Sequence, residues 1–266
     1  MSGDEELREG RLRKLLGEVR EIFIGIFHVY RAWWVDILLL SLIIFIPLGV
    51  LDAADSEALE SLRSGESAKA VVLSVGAFLI IATATLGEVF LAGAIGLSLI
   101  HAKDGRPPSL AFIARHLSYG RLIAVDILYV VLVAAGFVLF LVPGLLAFVY
   151  LALAGPVVEI EDRGIRASFK RSIQLVRGSF WLVLVVLLPI ELVGSSIGKA
   201  AEVPIEALLG HNFVAVGLAE AMTDVVLSPL WAIAAVLLTR KMVERKDGVT
   251  LPGPAVADLQ SGKPSA

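Results

Sequence analysis

The sequence predicts an all-α, polytopic membrane bundle of six transmembrane helices, built as three units that each join an amphipathic helix to a transmembrane hairpin. Three observations carry this. Apolar residues make up 57% of the chain and charged residues 18%, where soluble domains run at about 45–50% and about 25%. Mean hydropathy is +0.84. The apolar excess is gathered into runs, and a hydrocarbon core about 30 Å thick takes roughly 20 such residues at 1.5 Å each. All but three of the 23 Lys and Arg residues then fall on one side of the chain once those runs are read as spans.

The elements follow in order. Residues 1–32 read as a cytoplasmic, interfacial amphipathic helix. Leu12, Leu15, Leu16, Val19, Ile22, Phe23, Ile26, Phe27 and Tyr30 keep the i, i+3, i+4, i+7 pattern, and Arg11, Arg13, Lys14, Glu18, Arg20 and Glu21 fill the gaps. This approach is too long for the n-region of a signal peptide, and no A-x-A-like site follows, so the first apolar run is expected to be a span. Spans are expected at about 33–51, 71–100, 122–141, 145–160, 180–197 and 213–239. The fourth is short, while the second and sixth exceed the bilayer and should tilt or protrude. A second amphipathic stretch opens at Pro107-Pro108 with Ser109 as its N-cap. It sets Leu110, Ile113 and Leu117 on one side and Arg115 and His116 elsewhere. A third opposes Ile165, Phe169, Ile173 and Val176 to Arg163, Arg166, Lys170 and Arg177. Pro143-Gly144 is expected to make the tight turn between spans three and four. Residues 1–247 thus form a single six-span domain, 248–266 a flexible cytoplasmic tail, and no length remains for a second soluble domain.

Charge sets the orientation. Basic residues cluster before span one, between spans two and three, between four and five, and after six. The opposite side has only Arg63, Lys69 and Lys199, and carries Asp52, Asp55, Glu57, Glu60, Glu66, Glu191, Glu202 and Glu206. Both termini are therefore expected in the cytoplasm. The units also share a boundary signature. Arg31-Ala-Trp-Trp-Val-Asp-Ile-Leu and Arg121-Leu-Ile-Ala-Val-Asp-Ile-Leu both read R-x-x-x-V-D-I-L, and Arg177-Gly-Ser-Phe-Trp-Leu-Val-Leu keeps the Arg and the apolar entry.

Two groups of residues could carry function. Carboxylates inside a membrane are functional-site candidates by default. Glu88 stands twelve residues before Ile100, about 18 Å of helix, which places it near mid-membrane. It needs a hydroxyl such as Thr85 or Thr83, water, or a proton. Glu220 and Asp224 lie four apart on one face of span six, and Glu191 enters the same layer just after Pro189. Glu88, Glu191, Glu220 and Asp224 are expected to line an acidic cavity open to the outside, with no basic residue at that depth. Asp36 and Asp126, each five residues past a boundary Arg, read as interfacial or capping groups near the cytoplasmic surface. The second group is basic. Lys and Arg beside an anionic leaflet contribute roughly 1 kcal/mol each, and Arg166, Lys170, Arg171 and Arg177 are the best candidates for contact with lipid headgroups. Tyr30, Trp33, Trp34, Tyr119 and Trp181 fit interfacial aromatic belts, and Gly87, Ala92, Gly93 and Gly96 give span two a small-residue surface for close packing.

Other chemistry has little support. The chain has no cysteine, so disulfides and thiolate metal sites do not arise. His28, His101, His116 and His211 lack ligand spacing, and no P-loop or dinucleotide fingerprint is present. Gly194-Ser195-Ser196-Ile197-Gly198 matches G-x-S-x-G by letter but falls at the end of a membrane helix, where that motif has no meaning. No cofactor, no metal, no enzyme activity and no nucleic-acid partner are expected.

The stretch from span four to span five carries a resemblance. Pro143-Gly144-Leu145, Ala154-Gly155-Pro156-Val157-Val158-Glu159, Ala167-Ser168-Phe169-Lys170-Arg171-Ser172 and Leu175-Val176-Arg177-Gly178-Ser179-Phe180-Trp181 resemble a family of uncharacterised prokaryotic integral membrane proteins. These are related to the membrane domain attached to some glycerophosphoryl diester phosphodiesterases. Leu238-Thr239-Arg240-Lys241 and Glu244-Arg245-Lys246-Asp247-Gly248 are similar to that family's tail. The resemblance implies a six-helix bundle in a prokaryotic inner membrane, with cytoplasmic amphipathic helices and no established activity. The phosphodiesterase is a separate soluble barrel, and its name does not transfer. Two functional classes stay open: a module that binds membrane lipids or a membrane or cytoplasmic protein partner, and a transporter or lipid translocator that uses the acidic layer.

Overall fold

A computed structural model of the chain describes residues 3–63, 87–209 and 213–253. These residues fold as helices and short connections. In chain order the helices are α1 (Gly3–Ala32), α2 (Trp34–Arg63), α3 (Glu88–Ile100), α4 (Leu110–His116), α5 (Tyr119–Leu139), α6 (Leu141–Leu151), α7 (Ala154–Ile160), α8 (Ile165–Val176), α9 (Phe180–Leu209) and α10 (Phe213–Asp247). Three stretches are long and apolar enough to cross a membrane: Tyr119–Leu139, Leu141–Ile160 and Met222–Asp247. The number rises to five if two sharply bent pairs, α1 with α2 and α8 with α9, each count as one span. The expected second span is described only from Gly87 onward, and the tail beyond residue 253 lies outside the described residues.

Helix α10 is the axis. It packs on α1, α2, α3 and α9, and its stretch from Trp231 to Leu238 is buried all round. A helix that is apolar on every side must be enclosed by others. Helix α3 is the second interior element, with every residue from Val89 to Leu99 buried apart from a half-buried Phe90. It lies against α7, and the small residues of both make the approach close. A Cβ on Gly155 would overlap the Val89 carbonyl, and one on Gly93 would meet the Gly155 carbonyl at 3.3 Å. Close backbone approach at small residues is how helices associate where lipid offers no hydrophobic drive.

One turn differs from the sequence reading. Pro143-Gly144 is not the turn between spans three and four. One extended residue, Phe140 (φ −165°, ψ 156°), reverses the chain, and α6 starts at Leu141. Pro143 sits in the first helical turn, where its missing N–H is one of the donors a helix leaves free anyway. Gly144 is needed because Phe137 and Gly136 press on it. The stretch expected as a short fourth span is Leu141–Ile160, 20 residues long and able to cross a membrane. It breaks at Ala152-Leu153, four and three residues before Pro156, whose ring excludes a carbonyl one turn back. Ser172 of α8 donates to the Tyr150 carbonyl beside this break at 2.7 Å.

The amphipathic helices meet their spans nearly at right angles. Residues Glu9–Ala32 and Trp34–Leu48 are inclined by 87°, and Ile165–Val176 and Phe180–Gly194 by 106°. Ser109 caps α4 by accepting from the Phe112 amide at 3.3 Å. The C-terminal end of α10 clasps both long amphipathic helices. Arg245 pairs with Glu18 at 2.8 Å and Lys241 with Glu21, both on α1. Asp247 pairs with Arg171 of α8, and Lys246 donates to the Gln174 and Arg177 carbonyls that end α8. Trp34, Tyr119 and Trp181 are exposed, as an interfacial belt requires. Trp33 is not part of that belt. It is buried and donates from Nε1 to the Gly105 carbonyl at 2.8 Å, which pins the connection after α3. Tyr30 also has a specific partner, the Val226 carbonyl of α10 at 3.1 Å.

Candidate functional site: a buried acidic and aromatic cluster

Helix α3 begins inside the bundle. Gly87, its N-cap residue, takes a left-handed conformation (φ +95°) and has no side chain to cap the free amides that follow. The first amides of a helix need acceptors. Here Asp126 of α5 supplies them from a neighbouring helix. Its Oδ2 accepts from the Gly87 amide at 2.8 Å, and the Val89 and Phe90 amides face the same carboxyl. Asp126 is therefore a capping residue, but not a surface one as its distance from Arg121 suggests, since only 4% of it is exposed. The reason is register. Tyr119, the first residue of α5, packs on Phe90 in the first turn of α3, with ring centroids 6.1 Å apart. Asp126 is about 10 Å further along α5.

Around this helix start the other polar side chains gather. Glu88 is 5% exposed, and its electrostatic neighbours are Glu191 of α9, Asp224 of α10 and Asp126. Tyr129, one turn beyond Asp126, is fully buried and faces the charges of Glu88, Glu191 and Asp126. Its ring lies 6.3 Å from that of Trp231. On α10, Asp224, Ser228 and Trp231 recur at four and three residues and so share a face. Glu191 is about 16 Å along α9 from Phe180. No Lys or Arg is an electrostatic neighbour of Glu88, Glu191 or Asp126 among the described residues.

Among the described residues, four buried polar atoms of this cluster have no hydrogen-bond partner: Glu88 Oε2, Asp126 Oδ1, Tyr129 Oη and Trp231 Nε1. Native interiors pair nearly all such atoms, and each one stranded costs about 1–3 kcal/mol. Two can donate and two can accept. Water, a protonated group or a bound cation placed among them would complete the set, and internal water typically serves this purpose. No three His, Asp or Glu side chains among the described residues stand at metal-binding geometry.

The structure thus brings Glu88, Glu191 and Asp224 together and adds Asp126, Tyr129 and Trp231. The Glu220 side chain and Thr83 and Thr85 lie outside the described residues. Sequence reasoning passed over Tyr129 and Trp231 because an aromatic residue in an apolar run looks like ordinary core. The only available signal was the Asp126–Tyr129 spacing, one turn on one face.

The basic candidates separate. Arg166 and Lys170 are exposed on the outer face of α8, and Arg177 just past its end is exposed too. Arg171 is turned inward, with its side chain 12% exposed, and bonds Glu161 at 2.9 Å and Asp247. Partial burial works against its charge, but the bonds to Asp247 and Glu161 outweigh this and hold its pKa above the ordinary value. Arg171 thus serves a structural ion-pair network, and the other three form the solvent-facing basic strip. In the G-x-S-x-G lookalike, Ser196 donates to the Leu192 carbonyl of its own helix at 2.6 Å. His28, His101 and His116 likewise contact carbonyls one turn back in their own helices.

No family model, curated protein or solved structure matches the chain. What the residues and their geometry define is a helical membrane protein with a polar cluster in its interior.

Proposed function

We propose that this chain is a non-enzymatic transporter or lipid translocator of a prokaryotic inner membrane, with six spans, both termini cytoplasmic, and a cation-accepting site in the bundle. The proton is the simplest cation it would take. The observation that carries this is the set of four buried polar atoms at the start of α3 that have no hydrogen-bond partner among the described residues. Helix ends inside transporter bundles lie at such sites, and irregular backbone such as that of Gly87 is tolerated at membrane depth only inside protein or around water. Glu88, Glu191 and Asp126 have no Lys or Arg as an electrostatic neighbour among the described residues, and such a group of carboxylates attracts positive charge. Donors from Tyr129 and Trp231 would orient the oxygens that hold it.

The test is proton flux in vesicles reconstituted with the purified protein, followed with an internal pH-sensitive dye under an imposed potential. Wild type is expected to carry protons or a proton-coupled cation. Glu88→Gln is expected to abolish this while its denaturation midpoint stays within about 0.5 kcal/mol of wild type, as a near-isosteric change allows. Identical flux in wild type, Glu88→Gln and empty vesicles would sink the transport reading.

A second reading has its own support. The apolar side of α8 is committed to the bundle, and Arg166, Lys170 and Arg177 face outward. A module that binds anionic lipid or an acidic partner protein would use that strip.

A further inference from the structure

The three amphipathic helices look alike in sequence, yet their surroundings divide them. Helix α8 has one apolar face, and none of its large apolar side chains is exposed. Helix α1 has two. Ile22, Ile26 and Val29 are buried in the core, with Leu15 and Val19 packed against it. A second ridge, Leu12, Leu16, Phe23 and Phe27, recurs at spacings of four, seven and four and is 39–63% exposed. Placing residues at 100° intervals sets this ridge beside the buried face and opposite Lys14, Glu18 and Glu21. Arg13, Arg20 and Arg31 border it on the far side from the bundle, all exposed. Beyond the bend, Trp34, Val35, Leu39, Ile43 and Ile46 of α2 are exposed and apolar as well.

We infer that α1 lies in the plane of the cytoplasmic leaflet, with its second ridge among acyl chains and Arg13, Arg20 and Arg31 at anionic headgroups. Three features fix the occupant as lipid. The helix that follows the ridge, α2, also exposes apolar side chains, as a spanning helix does to hydrocarbon. The 87° bend at Trp33 turns an upright α2 into a flat α1. The opposite face, through Glu18 and Glu21, is tied to the cytoplasmic end of α10. Helices of this composition bind at the headgroup–acyl boundary, with the apolar side about 5–10 Å deep. Helix α8, in contrast, is docked on the bundle and faces water. The inference is independent of the transport reading, since an inert membrane module would hold α1 in the same way.

The chain contains no cysteine, so single cysteines can carry spin labels in the full-length protein without background. Labels at Leu16, Phe23 and Phe27 would be compared with Ile43 on α2 and Lys170 on α8, in bilayers of mixed zwitterionic and anionic phospholipid. The ridge positions are expected to match Ile43, with high collision rates with oxygen and low rates with a water-soluble nickel chelate, whereas Lys170 shows the reverse. Nickel collision rates at Leu16 and Phe27 equal to those at Lys170 would overturn the inference. So would dipolar broadening between labels on separate copies, which would mean that a second chain covers the ridge. All the labelled residues are exposed, so the variants should fold.

Discussion

At the scale of single residues, Asp126 shows how a side chain is defined by what it meets. Its sequence position suggests a wet boundary residue, but it closes the open end of another helix through the Gly87 amide. The capping function needs an acceptor oxygen, and a full charge is not required. Asp126→Asn, which keeps one oxygen, is therefore expected to lose less than about 1 kcal/mol. Asp126→Ala strands the amides at the start of α3 and should lose about 1–3 kcal/mol. Denaturation midpoints of both variants in mixed micelles would check this, and equal losses would show that the cap does not matter. Legibility at this scale was uneven. Glu88, Glu191 and Asp224 stood out in the sequence because carboxylates in apolar runs are rare. Tyr129 and Trp231 did not, because their polar atoms matter only where the surrounding helices leave them unpaired.

At the scale of elements, the connections decide how helices bear on one another. Glu161 is held between Arg163 and Arg171, and Arg171 reaches on to Asp247 at the end of α10. The side chains of Glu161 and Arg171 are 10% and 12% exposed, so neither is well solvated if left alone. Removing one partner of a shielded pair is worse than removing both. Arg171→Met is expected to lose about 2–4 kcal/mol, and the double change Arg171→Met with Glu161→Gln to recover at least about 1 kcal/mol of that. Lys170→Met, one residue away and exposed, should stay within about 0.5 kcal/mol of wild type. A double-mutant cycle read by chemical denaturation would test this, and strict additivity would remove the proposed coupling. Sequence spacing predicted the amphipathic character of α8 but not which of its basic residues would turn inward. That choice depends on where α10 ends.

At the scale of the whole molecule, topology is the first thing to establish. Cysteines at Glu60 and Gly210 are expected to react with an impermeant reagent outside intact cells, and those at Gly105, Arg166 and Gly248 only after the membrane is opened. Arg166 is preferred to Ser168 for this purpose, because Ser168 is fully buried and would resist labelling on either side. Outside labelling at Arg166 would exclude six spans with cytoplasmic amphipathic helices. The same whole-molecule view joins the interior cluster to the membrane surface. Helix α10 carries Asp224 and Trp231 in the bundle, and at its far end holds α1 and α8 through Lys241, Arg245, Lys246 and Asp247.

The sequence by itself determined that this is an all-helical membrane protein and where most helices begin. Hydropathy, charge and breakers act locally: each residue is wetted, charged or helix-breaking whatever its distant neighbours are, and the effect adds up along the run. Tertiary structure alone decided which residues meet. The depth of Asp126 follows from how far α5 has slid along α3. The approach of α3 to α7 follows from Gly155 lying against the Val89 carbonyl, and the two apolar faces of α1 differ only because the bundle covers one of them. These are lateral relations between segments far apart in the chain. They depend on packing and register, neither of which has a signature within any single helix.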